Sequence, residues 1–311
     1  MNIVYMGTPD FSVPPLEAMI GAGHTLLAAF TQPDKAKGRS GKLLPPPVKE
    51  CALKHDIPVY QPEKLRDAEN VALIKDLAPD VIVVAAYGQI LSEEILNIPK
   101  YGCVNIHASL LPKYRGAAPI ERAIIDGEAV TGVTTMYMAK GLDTGDMLEK
   151  TEIVIGEEDT ALTLESKLSQ AGAELILKTL EALENGTATR TPQDDAASTY
   201  AAKLSKEEGR IDFAKSAEEI ARMVRGFNPW PCAYTTLLSK SVKLYGAKAV
   251  ENDIKKDAAP GEVIAVTKKN FTIACGSGAL TVTSLQPEGK KQMDAAAYLN
   301  GAKLTVGEMA G

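Results

Sequence analysis

The chain has 311 residues, 45% of them hydrophobic and 24% charged, and a formal net charge of −6. That length allows two domains and a sizeable core, while no apolar run approaches the roughly 18–20 residues needed to cross a bilayer. The opening MNIVYMGTPDF has no basic n-region or cleavage site, so a secretory leader is not expected.

NIVYM (residues 2–6) reads as a buried strand, and GTPDFSVP leads into a helix over residues 13–22. TLLAAFT (25–31), VIVVAAY (81–87) and GCVNIH (102–107) read as further strands with helical stretches between them. Continuous apolar strands alternating with helices predict a parallel sheet covered on both faces. TGVTTMYM (131–138) and TEIVI (151–155) carry the β-branched alternation of two more strands. Residues 160–184 form the longest predicted helix, with Leu164, Leu168, Ala171, Leu175, Thr179 and Leu183 as its buried stripe. Asp159 is its expected cap, and Asn185–Gly186 suits its end.

A polar, turn-rich stretch, NGTATRTPQDDAAST, then behaves like a linker. After a short helix near residues 217–225, AYTTLLS, SVKLYGAKAV and GEVIAVTKKNFTIACGSGALTVTSLQP read as short strands parted by Gly, Asn and Pro turns. Short strands without intervening helices predict a small β-barrel. Charge follows the same division: residues 1–202 hold 18 basic and 28 acidic side chains, and residues 203–311 hold 16 and 12. A basic second part permits an anionic partner, although uneven surface charge alone gives the same pattern. Cys51, Cys103, Cys232 and Cys275 lack C-x-x-C or Cys/His ligand spacing, which predicts reduced core thiols in a cytoplasmic protein and no structural metal.

QPDKAKGRSGKLLPPPVK (32–49) is about three times the length of a usual βα connection. From Asp34 to Lys49 it holds five basic residues and one acidic residue. Such a loop at the carboxyl end of a strand sits where open α/β sheets bind ligands; a plain charged surface loop is the alternative.

The first βα turn, GTPDF, is not a G-x-G-x-x-G fingerprint, and neither a Walker motif nor a G-x-S-x-G elbow is present. Dinucleotide, P-loop and nucleophilic-serine chemistries therefore fall away. What remains is Asn105, His107 and GLDTGD (141–146). Residues two apart on a strand point to the same side, so Asn105 and His107 can converge, while Asp143 sits between Gly141 and Gly145 in a loop able to bend close to a ligand. An amide, an imidazole and a carboxylate suit acyl transfer to an amine. Asn105 and protonated His107 donate to the developing oxyanion, and Asp143 orients the ring and helps receive the amine's proton. Each position also has a plain reading: a packed strand-end histidine, a turn-forming asparagine, an ordinary DTGD turn.

NIHASLLPKYRGAAPIERAI together with GLDTGDML resembles the formyltransferase family that uses 10-formyltetrahydrofolate. VYMGTPDFSVPPLEAM, TQPDKAKGRSGKLLPPPVK, VVAAYGQIL, KLSKEEGRIDF and FNPWPCAYT extend the resemblance, in order and with matching gaps, over nearly the whole chain. The resemblance implies a Rossmann-like, mostly parallel sheet with a C-terminal OB-like β-barrel: a catalytic domain over 1–189, a linker over 190–206, and a tRNA-binding barrel over 207–311. It implies Asn105, His107 and Asp143 as the catalytic set and Ser109, Leu110, Leu111 and Pro112 as the folate-contacting stretch. It makes the basic loop a grip on a tRNA acceptor end, with Lys35, Lys37, Arg39 and Lys42 as contacts; position 40 is Ser where a second Gly is common.

The reaction so implied is formyl transfer from 10-formyltetrahydrofolate, a cosubstrate acting without a metal, to the α-amine of initiator methionyl-tRNA in translation initiation. A cytoplasmic monomer with no membrane attachment is expected. A transferase acting on an amino sugar or purine precursor shares the same trio, as does a folate-dependent hydrolase, and a nonenzymatic RNA-binding protein with a relic pocket is a further alternative. The basic loop and the β-rich second part favour tRNA over a small amine.

Overall fold

Ile3, Val4, Tyr5 and Met6 have no solvent exposure, as a strand in the middle of a covered parallel sheet requires. They form β1 (Asn2–Gly7) in a computed structural model that describes residues 1–36, 43–251, 255 and 257–311. The chain divides into two units, one made of Met1–Pro119, Val130–Val154 and Glu165–Ala201, the other of Ile120–Ala129, Ile155–Leu164 and Ala202–Gly311.

In chain order β1 is followed by α1 (Val13–Gly21), β2 (Thr25–Phe30), the short strands β3 (Lys35–Ala36) and β4 (Leu43–Leu44), α2 (Pro47–Lys54) and β5 (Val59–Tyr60). Next come α3 (Ala68–Leu77), β6 (Val81–Ala85), α4 (Glu93–Leu96), β7 (Cys103–His107), β8 (Arg115–Gly116), α5 (Pro119–Asp126), β9 (Val130–Tyr137), β10 (Met147–Val154), α6 (Ala161–Asn185) and β11 (Tyr200–Ala201). The main sheet runs in the order β10-β9-β7-β6-β1-β2-β5. β5, β2, β1, β6 and β7 are parallel, and β9 and β10 close one side in antiparallel pairing. β1 lies between β2 and β6, so the strand order reverses there, and the carboxyl ends of these strands open onto the crevice that such sheets use for ligands.

α6 packs on this sheet more broadly than the predicted stripe. Leu164, Leu168, Leu175, Thr179 and Leu183 are buried and Ala171 partly so, and Ser169, Ala173, Ile176 and Leu180 join them. At Gly172 a side chain would run into Ile106 of β7, so helix and strand approach closely one residue before the end of that strand. The cap differs from expectation. α6 starts at Ala161, which makes Thr160 the capping residue: its hydroxyl accepts from Thr163 N at 3.3 Å and its own N–H donates to Thr163 Oγ1 at 2.9 Å. Asp159 instead takes up the Gly156 N–H and the Thr163 hydroxyl, bracing the turn ahead of the helix. β10 also begins ahead of the expected residue 151, because its antiparallel ladder with β9 reaches Met147.

In its longest stretch, Ala202–Gly311, the second unit carries α7 (Ala217–Gly226), started by a reciprocal capping box between Ser216 and Glu219. β12 (Ala233–Leu237), β13 (Lys240–Val250), β14 (Val263–Val266), β15 (Phe271–Ala274), β16 (Ala279–Pro287), β17 (Met293–Asp294) and α8 (Ala295–Gly301) complete it. The sheet is antiparallel, ordered β12-β13-β16-β15-β14, with β17 added on β16. Residues 307–311 bridge its two outer strands, Val263 N donating to Glu308 O at 2.8 Å and Gly311 N to Thr236 O at 3.0 Å, which curls the sheet into a barrel. A mostly parallel first unit and an antiparallel barrel-like second unit are the two architectures the sequence led us to expect. All four cysteines are free and buried. Among the described residues no helix is long and apolar enough to cross a membrane.

Candidate active site

β7 enters the sheet between parallel β6 and antiparallel β9, and its residues Asn105 and His107, two apart, share one side of the sheet near its carboxyl end. Asn105 is partly exposed, and among the described residues its carboxamide has no hydrogen-bond partner. His107 is only 6% exposed, and its Nε2 lies 2.9 Å from the Tyr114 carbonyl oxygen. A carbonyl can only accept, so Nε2 carries the hydrogen and Nδ1 is the nitrogen left for chemistry. Nδ1 lies 3.8 Å from Asp143 Oδ2. That is too long for a hydrogen bond but within the distance of an ion pair. The structure thus brings His107 and Asp143 together, with Asn105 two residues earlier on the same side of β7.

Two loops deliver them. Asp143 Oδ2 accepts the Gly116 N–H at 2.9 Å, fixing the carboxylate from the loop that follows β7. The backbone is left-handed at Tyr114 (φ 59°), Gly116 (φ 118°) and Asp143 (φ 51°). For the two non-glycine residues this is an uncommon conformation that the surrounding structure must hold in place, and such residues cluster at functional sites. A Cβ at Gly116 would stand 2.7 Å from the Ala201 carbonyl oxygen and 2.8 Å from the Tyr200 ring. At Gly145 it would overlap the Tyr137 carbonyl, so the 141–146 loop can close on β9 only with glycine there.

Ser109, Leu110, Leu111 and Pro112 make the turn immediately after β7. Ser109 is fully buried and donates to Lys113 O at 2.6 Å; Leu111 packs with Met136 and Met147. Leu110 and Pro112 stay partly exposed. Thr134 of β9 ties the turn down, its hydroxyl donating to Ser109 O at 2.7 Å and accepting from Leu111 N at 3.1 Å. Lys150 of β10 donates its ammonium to the Leu111 carbonyl, and burial holds that ammonium below the usual lysine range. Thr134, Lys150, Gly116 and the Tyr114 carbonyl went unread in the sequence. Thr134 and Lys150 act from strands whose local pattern describes only burial, and Tyr114 and Gly116 act through backbone groups, which carry no side-chain signature.

Across the crevice, Thr8, Gln32 and Tyr87 tie the ends of β1, β2 and β6. Thr8 Oγ1 and Gln32 Nε2 both donate to the Tyr87 carbonyl, at 3.1 and 3.2 Å. The Tyr87 hydroxyl is buried and, among the described residues, has no partner. Of the basic loop, Lys35 is exposed on β3, which pairs with β4; Lys37, Arg39 and Lys42 lie outside the described residues. The base of that loop is closed by Asp34, whose carboxylate accepts from Lys49 Nζ at 2.8 and 2.9 Å and from Gln61 Nε2 at 2.8 Å. These bonds, the Lys49 one foremost, hold the Asp34 carboxyl below its usual range. No group of three or more His, Cys, Asp or Glu among the described residues is arranged to hold a metal ion.

Family models match along most of the chain: Formyl transferase over residues 1–180, and Formyl transferase, C-terminal domain, over residues 203–303. The chain belongs to the formyl transferase family. A methionyl-tRNA formyltransferase of Alkaliphilus metalliredigens (strain QYMF) is 51% identical over 311 residues, covering 100% of this chain and 98% of that protein. A methionyl-tRNA formyltransferase of Geobacter metallireducens (strain ATCC 53774 / DSM 7210 / GS-15) is 51% identical over 307 residues, 99% of this chain and 97% of that one. Among solved structures, HypX from Aquifex aeolicus in complex with tetrahydrofolic acid aligns with a TM-score of 0.67 at 19% identity, over 97% of this chain and 47% of HypX. This member of the formyl transferase family therefore spans about half the length of HypX and shares its fold over that half.

Proposed function

We propose that the chain transfers a formyl group from 10-formyltetrahydrofolate to the α-amine of initiator methionyl-tRNA, with Asn105, His107 and Asp143 as catalytic residues. The observation that carries this reading is the placing of His107: with Nε2 held at the Tyr114 carbonyl, Nδ1 lies 3.8 Å from Asp143 Oδ2 and is the ring nitrogen left for chemistry. The unpartnered carboxamide of Asn105 supplies a second donor at the same strand end. Leu142, 59% exposed and next to Asp143 in the chain, offers an apolar side chain to the pteridine ring. Ser109, Leu110, Leu111 and Pro112 form the rigid turn assigned to the folate side.

Bound there, 10-formyltetrahydrofolate supplies an electrophilic formyl carbon, and transfer exchanges its C–N bond for one to the acceptor amine. Asn105 and the Nδ1–H of protonated His107 donate to the formyl oxygen as it gains negative charge, each such donor being worth about 10²–10³ in rate. Asp143 balances the imidazolium and, through the oxygen not held by Gly116, takes the proton that the attacking nitrogen must lose. The departing nitrogen regains one proton, so transfer is neutral overall.

The tRNA acceptor is supported by the relatives at 51% identity, which are methionyl-tRNA formyltransferases, and by the basic loop. Lys35, Lys37, Arg39 and Lys42 contact tRNA phosphates from a loop closed at its base by Asp34 and Lys49. The catalytic domain covers residues 1–189, the linker 190–206 and the tRNA-binding barrel 207–311, and the protein works as a cytoplasmic monomer away from membranes. The deciding experiment supplies one formyl donor with three acceptors: charged initiator tRNA, an amino-sugar nucleotide, and water alone. Formylated methionyl-tRNA as the dominant product is expected. Preferred formylation of the sugar, or formate released at the same rate without tRNA, overturns the reading, and sedimentation as anything but a single 33.1 kDa species overturns the monomer.

A further inference from the structure

Residues 190–201 run beside both loops that carry the site. Arg190 pairs with Asp146 at 3.0 Å, and the Thr191 and Met147 backbones exchange hydrogen bonds at 2.8 and 2.9 Å. The Gln193 carboxamide then donates both its hydrogens inward, to the carbonyls of Asp143 and Gly145, each at 2.8 Å. Farther on, Thr199 and Ala201 pair with the 114–117 backbone, Tyr114 N donating to Thr199 Oγ1 at 2.8 Å and Ala117 N to Ala201 O at 2.9 Å. One strand of chain thus fastens the Gly116 loop and the Asp143 loop to each other.

We propose that Gln193 is a positioning residue for Asp143, an inference resting on the catalytic reading of that carboxylate. Asp143 sits in a left-handed conformation, uncommon for a residue with a side chain although Asp tolerates it better than most. Gln193 holds it by chelating the two carbonyls that flank the turn. Gln193 is itself held: Arg115 donates Nε–H to its Oε1 at 2.9 Å, and the same guanidinium reaches Asp195 at 2.8 Å. Arg115 is nearly buried and immediately precedes Gly116, whose N–H holds the Asp143 carboxylate. The backbone and the side chain of Asp143 are therefore fixed from adjacent residues of one loop, the first through Gln193 and the second directly. Releasing the Gln193 contacts lets the carboxylate drift from His107 Nδ1, and a displacement of about 1 Å is enough to cost about a hundredfold in turnover.

The test is a double-mutant cycle on the full chain with methionyl-tRNA and 10-formyltetrahydrofolate. Gln193→Met keeps the side-chain length and removes both donors; Gln193→Asn is shorter by one methylene and reaches at most one carbonyl; Ser198→Ala alters the same segment away from the Asp143 loop. The expected result is a fall in kcat of about tenfold to a hundredfold for Gln193→Met, with both KM values within about twofold. Gln193→Asn gives a smaller fall, Ser198→Ala leaves kcat within about twofold, and Gln193→Met adds nothing to Asp143→Asn. Equal factors for Gln193→Met in the presence and absence of the Asp143 carboxylate, or a matching fall in Ser198→Ala, overturn the proposal by reducing Gln193 to a structural tie. Full activity in Asp143→Asn alone overturns the catalytic reading first, and with it the need for any positioning. Unfolding midpoints of all variants separate loss of fold from loss of turnover.

Discussion

Gly116 and Asp143 are joined by a single 2.9 Å bond from backbone N–H to carboxylate, and neither residue can be changed without loosening the other. Alanine at 116 places a Cβ against the Ala201 carbonyl in a φ that L side chains rarely adopt. Such strain costs on the order of 1–3 kcal/mol. Gly116→Ala is therefore expected to lower unfolding free energy by about that amount and to reduce turnover by more than about tenfold where the protein is still folded. Urea titration and steady-state kinetics on the same preparation measure both.

The catalytic trio separates by magnitude. Asn105→Ala removes one donor to the oxyanion and is expected to lower kcat by about 10²–10³, and Asp143→Asn removes the proton acceptor, for about 10²–10⁴. His107→Ala removes a donor and the partner of Asp143 together, so its loss should not exceed the two added as free energies. A rate within threefold of the parent in any of them removes that residue from its role.

Asp34 sets an acid-side stability dependence. Hydrogen bonds from Lys49 and Gln61 put its folded pKa below the unfolded value of about 3.9. A carboxyl of that kind adds stability above the unfolded pKa and loses it as pH falls through the folded one. Asp34→Asn should flatten this part of the stability profile below pH about 4 and leave the slope above pH 5 unchanged. An unchanged slope below pH 4 would remove the Lys49 staple from consideration.

Association with tRNA should weaken as salt rises, because lysine and arginine release counterions from the phosphates. Replacing one phosphate-contacting side chain lowers the slope of log affinity against log salt by about 1. Arg39→Ala is expected to do so with the KM for 10-formyltetrahydrofolate unchanged, which filter binding over a salt series and kinetics at saturating tRNA will show.

Leu111 anchors the turn after β7 through Met136 and Met147. Leu111→Ala leaves a cavity there and should cost about 2–5 kcal/mol of stability. Because Thr134 and Lys150 still hold the turn by its backbone, kcat at low temperature should fall far less than in Gly116→Ala.

The strands were legible because they are continuous apolar runs, and Asn105 and His107 were legible as a pair because alternation along a strand is visible in any sequence. Asp143 was marked by its glycines. What joins them was not. The Gly116 N–H is a backbone group with no side-chain signature, and Gln193 lies in a stretch whose composition reads as linker. The cap of α6 lies one residue past the expected Asp159: Asp and Thr both cap well, and it is the Thr160 hydroxyl that takes the Thr163 N–H. The grip of Lys150 on the Leu111 carbonyl follows from the register of β10 on β9, which local pattern does not encode.

The fastening of two loops by residues 190–201 has a consequence for how the molecule comes into being. Asn105 and His107 emerge early in synthesis, yet the groups that aim Asp143 include Gln193, so catalytic competence waits on contacts between distant stretches of chain, which form slowly. A nascent protein stopped after β10 can hold most of the sheet and still be idle. In refolding, recovery of activity should lag behind recovery of helical and sheet signal.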